Sequence, residues 1–176
     1  MKTKIIVSVL VCSLFLIKTY SQTESGTLLL GGGASTALNF GGGTTFNIGI
    51  SPDIGYFVED NIAIGARVPL SLTAGENYRM ISYGITPFVR YYFDQMDDML
   101  IFITANIGIN GTSAKIGGVS DSNTGFIGGA GIGVAHMLTK NIGIEGIFGY
   151  SFMKYKDVDL RSRLGIDAGF QIYYSL

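Results

Sequence analysis

The chain has 176 residues, with 12 lysines and arginines against 13 aspartates and glutamates, 47% hydrophobic residues and only 14% charged ones. Low charge and high apolar content exclude a disordered tail, and the absence of a basic excess excludes a nucleic-acid partner. The 26 glycines argue against a helical bundle, because glycine weakens helix interiors, and a single cysteine provides neither a disulfide framework nor a cysteine zinc site.

Lys2 and Lys4 precede an apolar run of 13 residues, Ile5 to Ile17, and Thr19-Tyr20-Ser21 then places small residues at its first and third positions. This is the three-part layout of a secretory signal peptide, so residues 1–21 are expected to be removed after Ser21 and residues 22–176 to form the exported domain. A spanning helix needs about 20 apolar residues, and Lys18 interrupts the run too early. Cys12 lies inside the apolar stretch behind the bulky Val11, which does not suit a lipid-modified cysteine. With Lys2, Lys4 and Lys18 gone, nine basic residues face thirteen acidic ones, for a net charge of −4, and no cysteine remains. Backbone pairing and packing must then hold the exported domain together.

From Gly26 onward the period is two. Residues 26–40 alternate weakly because glycine crowds both parities. Phe46, Ile48, Ile50, Pro52, Ile54 and Tyr56 then oppose Thr45, Asn47, Gly49, Ser51, Asp53 and Gly55. Ile62, Ile64, Ala66, Val68, Leu70 and Leu72 oppose Ala63, Gly65, Arg67, Ser71 and Thr73. The series from Ile81 to Phe93 opposes Ser82, Gly84, Thr86, Phe88, Arg90 and Tyr92, and Ile101 to Ile109 opposes Phe102, Thr104, Asn106, Gly108 and Asn110. Residues 125–137 alternate weakly, Ile142 to Phe152 oppose Gly143, Glu145, Gly149 and Ser151, and residues 163–176 alternate without a break. Each pattern predicts a strand with one apolar and one polar face, and each of the eight is long enough to cross a bilayer at about 9–11 residues. Val58 to Asn61, Asp94 to Asp98 and Leu138 to Asn141 read as tight turns, and 74–78, 111–123 and 153–160 as the longer loops of the opposite side. Asp60-Asn61-Ile62 and Lys140-Asn141-Ile142 repeat one turn solution, since asparagine tolerates the left-handed backbone of a tight hairpin.

Charge decides which face looks outward. Lys115, Lys140, Lys154 and Lys156 fall in predicted loops or turns, whereas Asp53, Arg67, Arg90, Glu145, Arg163 and Asp167 all share the parity opposite the isoleucines. A soluble barrel needs a lysine- and glutamate-rich exterior, but this second face is mostly glycine, serine, threonine and asparagine. It suits a crowded interior, so the apolar face meets lipid and the sheet must close. Tyr56, Phe57, Tyr91, Tyr92, Phe93, Tyr173 and Tyr174 near the tight turns, and Phe46, Tyr83, Phe126, Tyr150 and Phe152 toward the other ends, are expected to form two aromatic belts. The fold expected is an all-β, eight-stranded antiparallel up-and-down transmembrane barrel. Asp53, Arg67, Arg90, Glu145 and Asp167 are expected to form a structural ion-pair network filling its periplasmic half rather than a conducting constriction.

Little else carries chemistry. His136, the sole histidine, falls on the lipid-facing parity with no serine in its strand neighbourhood, so neither an acyl-hydrolase nor any other enzyme is expected. The glycine runs at 31–33, 41–43 and 129–133 open no helix and lack the context of a phosphate site. No cofactor and no metal cluster is expected.

Gly55-Tyr56-Phe57-Val58-Glu59-Asp60-Asn61-Ile62-Ala63-Ile64-Gly65 and Pro87-Phe88-Val89-Arg90-Tyr91-Tyr92-Phe93 resemble strand signatures of the small outer-membrane β-barrel domains of the OmpX/OmpA-like type. The ending Asp167-Ala168-Gly169-Phe170-Gln171-Ile172-Tyr173-Tyr174 is similar to the C-terminal signal read by the barrel assembly machinery, although Ser175-Leu176 extend past its closing aromatic. The resemblance implies eight strands, assembly in the bacterial outer membrane among its lipids, and both termini in the periplasm. It implies no common activity. A monomeric membrane scaffold whose outer loops meet envelope or external partners is the expected role. Its rivals are a narrow pore or hydrophobic-solute transporter, a lipid-modifying envelope enzyme and a soluble periplasmic binding barrel.

Overall fold

The computed structural model describes residues 22–40, 44–76, 78–93, 98–117, 119–155 and 160–175. The expected signal peptide, residues 1–21, lies outside the described residues. Regular structure among the described residues is all strand: β1 (Thr27–Phe40), β2 (Thr44–Glu59), β3 (Ile62–Arg67), β4 (Leu70–Gly75), β5 (Tyr78–Tyr92), β6 (Met99–Ile116), β7 (Val119–Met137), β8 (Ile142–Tyr155) and β9 (Arg161–Ser175). β3 and β4 are two halves of one stave. Both pair with β2 on one side and β5 on the other, and the register carries straight across, from Asp53↔Arg67 to Ile50↔Leu70. The break falls at Pro69, which has no N–H to give the ladder. Its carbonyl still accepts from Gly84 N at 3.0 Å, and Val68 N reaches Pro52 O at 2.9 Å. Eight staves therefore follow one another antiparallel, and β1 pairs with β9 to close the ring.

The register sets the tilt. Stepping across paired residues from Tyr173 through Leu29, Gly55, Gly65, Phe88, Asn106, Gly129 and Ser151 returns to β9 at Arg163, ten residues from the start. A shear of that size over eight strands corresponds to a tilt of about 40°, given ~3.3 Å rise per residue and ~4.8 Å between strands. Isoleucines, valines and leucines at the outward parity are exposed along the staves from β2 to β9, among them Ile48, Ile54, Ile85, Ile103, Ile107, Ile132, Ile144 and Ile166. Tyr56, Tyr91 and Phe93 edge this band at one end, and Phe46, Tyr83 and Phe126 at the other. Tyr56 and Phe46 stand ten residues apart on β2, about 25 Å along the tilted axis, the height of an outer-membrane apolar band.

Two expectations need correction. Phe57, Tyr92 and Tyr173 are fully buried and belong to no belt. They sit at the inward parity and pack together inside, with ring centroids 5.2 Å (Phe57–Tyr92), 6.4 Å (Phe57–Tyr173) and 6.3 Å (Tyr92–Tyr173) apart. Residues 111–123 do not form a loop, and 74–78 is not a long one, since Gly75 of β4 pairs with Tyr78 of β5. β6 and β7 pair continuously to Ile116↔Val119 and turn tightly around Gly117, whose φ of +55° suits glycine. At 18 and 19 residues these strands outrun the ~9–11 needed to cross, so their polar, exposed ends (Lys115, Ser120, Asp121, Ser122) project beyond the band.

The repeated turns share a function more than a conformation. Asn61 has φ of +67°, while Asn141 does not enter the left-handed region. Yet the Asn61 carbonyl accepts from Tyr92 N and the Asn141 carbonyl from Tyr173 N, both at 2.8 Å, tying each turn to the stave beyond it. Asn141 adds a side-chain bond from Nδ2 to Tyr173 O at 2.7 Å. Asn61→Ala should therefore lower stability by about 1 kcal/mol, whereas Asn61→Gly should be nearly neutral, read by urea unfolding of the folded barrel.

Candidate functional site

The half of the lumen nearest the turns at 58–61 and 138–141 is filled by an aromatic layer capped by ions. Phe57, Tyr92, Tyr173, Phe102, Leu29 and Leu100 are fully buried. Phe102 lies flat against Gly133, where a Cβ would collide with its ring, so the glycine on β7 makes room for the aromatic on β6. Above this layer, four of the five expected network residues come together. Arg90 of β5 makes a two-pronged bond to Glu145 of β8, Nη1 to Oε2 at 2.9 Å and Nη2 to Oε1 at 3.1 Å. Arg67 of β3 donates to Asp53 Oδ2 from Nε at 3.1 Å and Nη2 at 2.8 Å. Arg90 Nη2 lies 3.9 Å from the same oxygen, linking the two pairs. The Arg90 guanidinium is also held between rings, 5.1 Å from the Phe88 centroid and 4.8 Å from that of Phe102, each contact contributing about 0.5–2 kcal/mol.

Asp167 is not part of the cluster. It pairs with Arg163 at 2.6 Å, and both side chains are largely exposed, at 66% and 62%. The reason is depth along β9: the residue level with Asp53 is Gln171, since Gly31 pairs with both. Asp167 stands four residues farther out, about 13 Å along the strand. Gln171 occupies the expected place and is wholly buried. Its Nε2 donates to Asp53 Oδ1 at 2.7 Å and approaches Glu145 Oε1 at 3.5 Å, joining the acids of the two pairs. As a neutral residue it escapes a search by charge, although its parity already pointed it inward.

The outer half of the lumen is open. A cavity of about 700 Å³ rises from Arg67, Phe88 and Glu145, its wall mixing hydroxyls and amides such as Ser51, Ser82, Thr104 and Asn106 with apolar side chains such as Ile127 and Ile147. Near its top Tyr155 OH donates to Asn110 Oδ1 at 2.6 Å. His136 is exposed on the outward face of β7, paired in register with Met99 of β6. Among the described residues no group of three or more histidine, cysteine, aspartate or glutamate side chains could hold a metal.

A barrel apolar outside, ion-paired within and closed by its terminal strands is the geometry of an outer-membrane protein, and the family model described as "Outer membrane protein beta-barrel domain" matches residues 7–171. The chain belongs to the outer membrane protein beta-barrel domain family. Solved structures share the fold. Neisserial surface protein A (NspA) is similar over 84% of this chain and 97% of its own, with 19% identity and a TM-score of 0.62. Ail, the attachment invasion locus protein of Yersinia pestis, matches over 85% and 99%, with 15% identity and a TM-score of 0.53. The N-terminal β-barrel domain of Pseudomonas aeruginosa OprF matches over 85% and 98%, with 10% identity and a TM-score of 0.52. No curated protein matches the chain. Family membership locates the barrel in the bacterial outer membrane, so the isoleucine face meets lipid.

Proposed function

We propose that this member of the family is a closed, non-enzymatic membrane anchor that works at its external face through the β6–β7 hairpin and the ends around 74–78 and 153–160, against envelope components or external partners. The observation that carries the reading is the seal. Arg90, Glu145, Asp53 and Gln171, with the aromatic layer beneath them, are all buried at the level where a conducting pathway would have to pass. Eight strands enclose a space that side chains can fill, and here the periplasmic half is filled. On this reading the chain is exported by residues 1–21, cleaved after Ser21, and handed to the barrel assembly machinery through its C-terminal strand. Planar-bilayer recording tests it. The purified barrel should give no stable conductance steps, and Arg90→Ala should give flickering ones by loosening the seal. Stable steps from the unaltered protein would favour the narrow-pore reading instead.

A further inference from the structure

Two cations face each other on the outside of the barrel. Arg79 of β5 and Lys115 of β6 are register partners, and both are exposed at the outward parity shared by Ile81, Tyr83 and Ile109. Like charges directly opposed on one face of a sheet repel. Among the described residues neither cation has an ion-pair partner, although Glu76 precedes β5 and Asp121 opposes Ala114 at the inward parity. Their outward neighbours on β7 are hydroxyls, not carboxylates: Ser120 pairs with Lys115, and Ser122 with Ser113 one outward step below. Height assigns the pair to the headgroup layer. Arg79 stands four residues above Tyr83 on β5, about 10 Å along the tilted axis, and Tyr83 edges the apolar band at this end. Headgroups add about 5–8 Å on each side of the hydrocarbon, and long cationic side chains snorkel back toward the interface. Ile81 and Ile109 are exposed below the pair, so acyl chains pass directly beneath the charges.

The geometry points to a binding site for the phosphates of an outer-leaflet glycolipid of the lipid A class, on the outward face of β5 and β6, with Arg79 and Lys115 closing on one phosphate. This rests on the proposed orientation, in which the β6–β7 hairpin lies outside the cell. A phosphate between the two cations replaces their repulsion with charge-assisted bonds, a two-pronged one from the guanidinium and a single one from the ammonium. A free phosphate would meet the same cations but gain nothing from Ile81 and Ile109 beneath them, so the apolar contact selects a lipid. The charge of the whole barrel is polarised in the same sense. Outside the lumen network and the Arg163–Asp167 pair, the described residues at the turn end set Glu24, Glu59, Asp60 and Asp98 against Lys140. At the hairpin end they set Arg79, Lys115, Lys154 and Arg161 against Glu76 and Asp121. Cations therefore gather at the level of the outer headgroups, where they attract anionic lipid.

The test uses the exported chain folded in an uncharged detergent, with lipid A and its dephosphorylated form as probes and native mass spectrometry as the readout. The unaltered barrel should hold lipid A about tenfold more tightly than the dephosphorylated form. Arg79→Gln with Lys115→Gln should abolish that preference and leave binding of the dephosphorylated form unchanged, with heat-modifiable migration confirming the fold. Lys140→Gln, at the turn end, should keep the preference, and inorganic phosphate should not displace the lipid. Equal affinity for the two probes, a preference that survives in the double variant, its loss in Lys140→Gln, or displacement by inorganic phosphate would overturn the assignment. Orientation is read separately. Val119 is 73% exposed at the hairpin, and the chain has no other cysteine after residue 21, so Val119→Cys should react with an impermeant maleimide on intact cells. Labelling combined with equal probe affinities would remove the phosphate site and spare the orientation, whereas absence of labelling would remove both.

Discussion

Arg90→Ala should destabilise the folded barrel by about 3–5 kcal/mol, the largest effect expected of a single lumen substitution. The change removes the bidentate partner of Glu145 and leaves a carboxylate that is 3% exposed with only the 3.5 Å approach of Gln171 to satisfy it. It also takes the cation from between Phe88 and Phe102 and opens a void above the aromatic layer. The cost is mainly that of a stranded buried charge, which a second substitution can separate from the worth of the pair. Arg90→Met with Glu145→Leu removes both ions and keeps apolar volume, so it should recover most of the loss. Asp53 keeps Arg67 and Gln171 in that double variant. Urea unfolding followed by heat-modifiable migration reads both variants. Equal destabilisation of the single and double variants would mean that packing around the guanidinium, not charge pairing, holds the floor.

Parity was the most legible feature of the chain, and depth the least. Alternation placed Asp53, Arg67, Arg90 and Glu145 on the face opposite the isoleucines, and a barrel whose outside is lipid leaves that face only the lumen. Alternation carries no information about height, however. Height depends on the shear, which emerges only when all eight staves are paired in register. Parity alone therefore groups Asp167 with residues it cannot reach, while Gln171, level with Asp53, carries no charge to mark it. The aromatics mark the same boundary: bunching at strand ends located the interface, but Phe57 and Tyr92 follow the inward parity and were drawn into the interior. Asn61 and Asn141 show that a repeated sequence can conserve a hydrogen bond to the next stave without conserving φ. Gly111, Thr112 and Ser113 are turn-forming residues in isolation, yet they continue the β6–β7 ladder opposite Thr124, Asn123 and Ser122.

Ile103→Arg should cost about 2–4 kcal/mol and impair insertion, because a guanidinium within the apolar band must be dragged to an interface or paired in lipid. Ile103 is 46% exposed on the outward face of β6, inside the band set by the two rows of aromatics. A lumen-facing control decides whether the cost belongs to the face or to the strand. Thr104, the adjacent inward position, is a poor choice because it pairs in register with Arg90, and a second guanidinium there would meet a like charge already committed to Glu145. Asn106, two residues on, pairs with Phe88 and Gly129 and lines the open cavity. Asn106→Arg can therefore extend into water. It should insert as the unaltered chain does, while Ile103→Arg should yield a smaller heat-modifiable fraction on refolding into bilayers. The contrast tests the inside-out arrangement directly. A water-filled exterior with an apolar centre would reverse it, making the substitution at 103 a buried charge in a dry core and that at 106 a harmless surface change in a protein that needs no detergent.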